Sequence, residues 1–136
     1  LYMAARSENI DIIKKSFKKK IILIDRFTDS TIAYQHYGMG VNLNLIETLN
    51  KTLLRNINVS FTFLNIVNQK NLQKRLKQRK SLNRYDKFEM SFYNKVQRGF
   101  IKLSKKQKNK YQLINSNLEI DKNEKLILSK INKLIK

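Results

Sequence analysis

Apolar positions recur at two spacings, and the change from one to the other divides the chain into alternating helices and strands. Ile10, Ile13 and Phe17 fall at helical spacing and predict a helix over 1–17. After Lys18, Lys19 and Lys20 comes Ile21-Ile22-Leu23-Ile24, a short, unalternated run rich in β-branched residues. Such a run predicts a parallel strand over 21–25, buried on both faces and ending in Asp25-Arg26. From Thr28 to Tyr37 the pattern is helical again, until Gly38-Met39-Gly40 interrupts it. A helix over about 42–56 follows, with Leu45, Ile46, Leu49 and Leu53 on one face, and residues 59–67 predict a second strand. Leu72 and Leu76 mark a short helix crowded with Lys74, Arg75, Lys77, Arg79 and Lys80. Beyond a polar break at 81–86, Phe88, Phe92, Val96 and Phe100 repeat every four residues, the stripe of a long core helix. A strand at 111–115 and a helix at about 121–135, with Ile127, Ile131 and Leu134 on one face, close the chain. Strands alternating with helices predict an α/β fold with a parallel sheet, here of three visible strands. Ligands of such sheets gather beyond the carboxyl ends of the strands, where Asp25-Arg26 is expected.

Composition narrows the chemistry. The chain has 136 residues, enough for one domain, and 41% of them are hydrophobic. Without cysteine there is no disulfide framework and no thiolate metal site, and His36 is the single histidine. The longest apolar run, Ile21 to Ile24, is far short of the ~20 residues of a membrane span. No charged-then-apolar leader opens the chain, so the expected compartment is the cytoplasm and no membrane partner is expected. A net charge of +19 first suggests a nucleic-acid binder. Lysine, isoleucine and asparagine, however, occur 22, 16 and 16 times, against three alanines, three glycines and no proline. All three favoured residues have A/T-rich codons, which points to a genome-wide bias. Arginine, the better fork for phosphate and guanine, occurs only seven times. A basic nucleic-acid-binding protein stays the alternative of a different class.

Two clusters carry candidate chemistry. In the first, Arg26 follows a predicted buried strand and offers a planar donor fork suited to phosphate oxygens. Asp25 could orient that fork or hold a hydrated magnesium ion. Ser30, Thr31 and Tyr34 lie three to four residues apart on a predicted helix, so they share a face and would line a pocket together with Gln35. A plainer account of the same residues is an Asp-Arg ion pair fixing a loop, with Tyr34 packing. In the second cluster, Tyr2 and Arg6 are i,i+4 neighbours, a ring to stack on a base and a donor for its carbonyl. A surface cation–π pair explains that spacing equally well.

Together these segments resemble bacterial thymidylate kinase (dTMP kinase). An aromatic-x-x-x-Arg element stands as Tyr2 through Arg6, and the strand-ending Asp-Arg-Tyr as Asp25-Arg26-Phe27. The family's Thr-Asp-Ser-Thr-x-Ala-Tyr-Gln-x-x-Gly-x-Gly is matched from Thr28 through Gly40. The arginine-rich lid, expected around 75–90, has Asn83-Arg84-Tyr85-Asp86 where the family has Asp-Arg-(Ile/Phe)-Glu. Phe27 lacks the family tyrosine's hydroxyl, and Asn83 replaces the first lid acid with an amide.

The resemblance implies a P-loop nucleotide-kinase fold, a three-layer parallel sheet that transfers the ATP γ-phosphate to dTMP to give dTDP, with Mg²⁺. It implies that Tyr2 stacks on thymine, that Arg6 bonds a base carbonyl and that Arg26 binds the dTMP phosphate. Asp25 would position that phosphate and the magnesium ion. Ser30, Thr31 and Gln35 would frame the base, and Tyr34 would crowd the sugar 2′ position. Arg75, Arg79 and Arg84 would close the lid over the ATP phosphates. No Gly-x-x-x-x-Gly-Lys-(Ser/Thr) loop occurs in the 136 residues. The chain is therefore expected to be an incomplete domain, the C-terminal two-thirds of such a kinase. Its first strand would lie between 21–25 and 59–67 in the segment it lacks, leaving this part inactive alone and homodimeric only when full length. Another P-loop deoxynucleoside or nucleotide kinase is the nearest alternative, since Asp-Arg after a strand occurs there too.

Overall fold

The computed structural model describes residues 2–17, 19–55, 57–78 and 88–135. Helix α1 (Tyr2–Ser16) buries Ile10 and Ile13 against Ile57, and Ile22, Phe27, Leu53 and Leu54 pack around them. A four-residue turn of helix, α2 (Thr28–Thr31), widens into a π-helix over Ile32–Gly38. Helix α3 (Leu43–Leu54) begins where the Asn42 side chain accepts the Leu45 amide at 3.2 Å, satisfying one of the helix's orphan donors. Asn68 caps α4 (Gln69–Lys77) in the same way through the Asn71 amide, at 2.8 Å. Helix α5 (Met90–Lys106), a short 3₁₀ turn (Lys108–Lys110) and helix α6 (Ile120–Ile135) complete the helices.

Strands β1 (Thr62–Ile66) and β2 (Tyr111–Asn115) pair in parallel, Thr62 opposite Tyr111 and Ile66 opposite Asn115. Parallel strands need a long crossover, and α4 and α5 lie within it. Leu64 and Ile114 point into the core. The second core cluster joins α5 to the π-helix: Ala33, Phe92 and Val96 are buried, with Tyr34, Phe88, Tyr93 and Phe100 packed against them. The aromatic stripe read from the sequence is thus the core face of α5. The approach is close enough that a Cβ on Gly99 would come within 2.5 Å of the Tyr37 ring. Glycine at 99 therefore lets the two elements touch.

Three expectations change. The predicted strand at 21–25 does not form: residues 21–24 have no ladder partner, and Ile21 and Leu23 are 66% and 82% exposed. Only Ile22 of the run packs onto the α1 cluster. A buried parallel strand needs hydrogen-bonded neighbours and cover on both faces, and among the described residues β1 and β2 pair only with each other. The expected three-layer sheet is, over these residues, a small two-stranded parallel sheet among helices. The strand expected at 59–67 is shorter, 62–66, and the helix expected over 28–37 is α2 followed by the π-helix.

Candidate functional site

Arg6 and the 25–40 segment come together around one guanidinium. From α1, Arg6 Nη2 donates to the Thr31 hydroxyl at 2.8 Å and to the Phe27 carbonyl at 3.1 Å, while Nη1 donates to Asn50 Oδ1 at 3.0 Å. The Arg6 group also lies 5.3 Å from the centre of the Phe27 ring. Thr31 and Asn50 are buried, at 6% and 7% exposure. Burial lowers the Arg6 pKa from its ordinary value, yet an arginine stays charged in a protein. Among the described residues, the half-buried cation is therefore held by neutral oxygens and one aromatic face, and the ring that receives it is Phe27. Tyr2 occupies the first position of α1, and its side chain lies outside the described residues.

Arg26 sits on the other side of this turn in an exposed position, with φ at +59°. A non-glycine residue in the left-handed region is strained, and such strain clusters at functional sites. The Arg26 guanidinium stands 5.3 Å from the centre of the Tyr34 ring. Tyr34 in turn meets Phe92 and Phe100 edge-on, with centroids 6.0 and 6.3 Å away. The Tyr34 ring is seated on α5 and presents a face to Arg26. Asp25 is exposed beside it. The π-helix, a wide turn often found at functional sites, carries Tyr34 and Gln35. The Gln35 carbonyl accepts the Val41 amide at 2.9 Å, and His36 Nδ1 lies 2.9 Å from the Val41 carbonyl, closing the Gly38-Met39-Gly40 turn. Gly40 has φ +78°, which suits glycine there.

The structure brings Arg6, Arg26, Ser30, Thr31, Tyr34 and Gln35 onto adjoining segments, α1, the turn at 25–27, α2 and the π-helix. Ser30 is half-buried, and its amide donates to the Phe27 carbonyl at 3.1 Å. Arg75 lies elsewhere, on α4 at the carboxyl ends of the strands, where Nη2 donates to the Ser116 carbonyl at 2.6 Å. Arg79 and Arg84, with most of the expected lid, lie outside the described residues. Among the described residues no three His, Cys, Asp or Glu side chains gather to hold a metal. Two participants escaped the sequence reading. Asn50 is a polar residue four positions after Ile46 on the buried side of α3, and that interruption of an apolar face was its signal. Tyr111 donates its hydroxyl to the Asp29 carboxylate and ties α2 to β2. Burial first, then the Asp29 bond and charge, push the Tyr111 pKa upward. Nothing local in the sequence pairs residues 82 positions apart.

The chain is an α/β protein with a basic, aromatic-lined turn tied to a small parallel sheet. The crystal structure of thymidylate kinase from Ehrlichia chaffeensis is similar over 96% of this chain and 60% of its own, with a TM-score of 0.70 and 30% identity. The family model for thymidylate kinase matches residues 1–127. Thymidylate kinases of Wolbachia sp. subsp. Brugia malayi and of Wolbachia pipientis subsp. Culex pipiens are each 32% identical, over 98% and 91% of this chain. The chain belongs to the thymidylate kinase family. It spans about 60% of the length of the relatives it matches.

Proposed function

We propose that the described residues form the dTMP side of an ATP:dTMP phosphotransferase, whose reaction gives dTDP. The observation that carries this reading is the anchoring of Arg6 to Phe27 and Thr31. It joins the aromatic-x-x-x-Arg helix to the Asp-Arg-Phe…Ser-Thr segment, the two motifs on which the resemblance rests. In this reading Tyr2 stacks on thymine and Arg6 meets a base carbonyl. Ser30, Thr31 and Gln35 frame the base, and Tyr34 crowds the sugar 2′ position. Arg26 binds the acceptor phosphate, its fork giving charge-assisted contacts stronger than neutral ones. Asp25 positions that phosphate. As one exposed carboxylate, Asp25 suits a hydrated Mg²⁺ shared with phosphate oxygens, since magnesium keeps waters and takes few protein ligands. Bound Mg²⁺ would supply charge neutralisation for phosphoryl transfer. Arg75, Arg79 and Arg84, in a lid around 75–90, would close over ATP. The full-length kinase would work as a cytoplasmic homodimer.

With no Gly-x-x-x-x-Gly-Lys-(Ser/Thr) loop in the 136 residues, this chain supplies no backbone cradle for ATP phosphates. Transfer by the chain alone is therefore expected to be undetectable. The test joins it to a P-loop segment from a relative and measures phosphate transfer to dTMP, with thymidine and dCMP as competitors. Arg26→Ala in the joined protein should lower kcat/KM roughly 30-fold or more, from the ~2–5 kcal/mol lost with a charge-assisted contact that the bound substrate would shield from water. An effect within about twofold would remove Arg26 from the acceptor site.

A further inference from the structure

We infer that Asn50 is a positioning residue for Arg6: it fixes the plane of the guanidinium and so sets a preference for bases that present a carbonyl. The inference rests on the dTMP reading above. Asn50 is buried on α3 beside Ile46, in a helix whose neighbouring face is otherwise apolar. A buried amide without a partner is costly, and the Asn50 Oδ1 accepts from Arg6 Nη1. The three acceptors around Arg6 come from three segments: Asn50 on α3, the Phe27 carbonyl before α2, and Thr31 within α2. Phe27 and Thr31 both engage Nη2. With Nη2 alone held, the guanidinium could still tilt about that end. The bond at Nη1 is the second point that defines its plane, because the group is flat and its fork rigid.

The chemistry of the hold matters as much as its geometry. A carboxylate at position 50 would make the same contact and add a negative charge that offsets the cation's field. The carboxamide makes it and leaves the charge in place. Arg6 keeps further N–H donors beyond these three bonds, half-desolvated, where a hydrogen bond is stronger than in water. A fixed donor of that kind favours a ring carbonyl and opposes a ring that places its own N–H at the same point. Thymine and cytosine differ in this way, a carbonyl against an amine. Freed from Asn50, Arg6 could tilt about its Nη2 end and tolerate either.

The test uses the full 136-residue chain with Asn50→Leu and Asn50→Asp. Nitrogen-detected NMR of Arg6 follows rotation of its Nη groups, and titration calorimetry gives affinities for dTMP and dCMP. In the parent, Arg6 rotation should be slow. Asn50→Leu should speed it and cut the dTMP-over-dCMP preference roughly tenfold, the scale of one charge-assisted hydrogen bond. Asn50→Asp should restore slow rotation and shift the Arg6 Nη1 signal as its acceptor becomes anionic. A folded Asn50→Leu chain with unchanged rotation and preference overturns the proposal, as does an unmoved Nη1 signal in Asn50→Asp. The second readout serves if the leucine variant fails to fold. A parent that binds neither nucleotide overturns the dTMP reading and the selectivity drawn from it, while the NMR readings still decide whether Asn50 holds Arg6.

Discussion

Replacing Arg26 by glycine and, separately, by alanine divides what its side chain does from what its backbone costs. At φ +59° a residue with a Cβ crowds its own carbonyl, a penalty of roughly 1–2 kcal/mol that glycine escapes. Both substitutions delete the guanidinium and its contact with the Tyr34 ring, worth about 0.5–1 kcal/mol at an exposed site. Those losses, and any other contact the side chain makes, cancel between the two variants. What remains is the backbone term, reduced by the greater freedom of glycine in the unfolded chain, some 0.4–1 kcal/mol. The glycine variant should therefore be the more stable by about 0.5–1 kcal/mol, the reverse of the order in an ordinary helix. Urea melts followed by circular dichroism resolve such a difference through the midpoint at constant slope. Binding of dTMP should be lost from both variants alike, because the fork is gone from each. An alanine variant as stable as the glycine variant, or more so, would mean that position 26 carries no strain, and the link between strain and site would fall with it.

Two further outcomes test the packing. Tyr111→Phe leaves the half-buried Asp29 carboxylate without its hydroxyl donor and should cost about 1–3 kcal/mol. Because folding raises the Tyr111 pKa, its contribution is complete below the ordinary tyrosine value of about 10 and is lost as pH rises beyond it; stability should thus fall more steeply between pH 10 and 11 in the parent than in the variant, and equal slopes in urea melts would refute this. Leu23→Ser, at a side chain 82% exposed, should change stability by less than about 0.5 kcal/mol, whereas a loss above about 2 kcal/mol would restore the doubly buried strand that the sequence suggested.

What the sequence made legible was what short-range pattern determines. Strand β2 runs over the residues expected, 111–115, and the four-residue aromatic repeat is the core face of α5. The motif from Asp25 to Gly40 lies on consecutive elements, so its residues had to be neighbours. The run Ile21 to Ile24 misled because apolar character does not supply a strand with a ladder partner. The buried face of α3 is turned from the expected one: Leu45 and Leu49 are exposed, whereas Ile46 and Asn50 are buried. The π-helix was illegible because its widening accompanies a tertiary contact, Tyr37 against Gly99 on α5. The contact of Arg6 with Phe27, 21 residues away, had no local signal in the sequence.

The two arginines of the site are held in opposite ways, and the contrast suits opposite tasks. Arg6 is half-buried, bonded to neutral oxygens on α2 and α3 and to the Phe27 carbonyl, and set over that residue's ring. Its position is overdetermined, which is what recognition of a base edge requires, since an error of an ångström loses a hydrogen bond. Arg26 is exposed, on strained backbone, with its guanidinium over Tyr34. A group that meets a phosphate needs charge and reach more than fixed orientation, because ion attraction varies gradually with distance. The Phe27 residue between them serves both: its carbonyl and ring anchor Arg6, and its backbone follows the left-handed turn at Arg26. Phenylalanine here retains the flat face that Arg6 uses and gives up only a hydroxyl. Arg26 and the residue that anchors Arg6 are thus consecutive on one short turn.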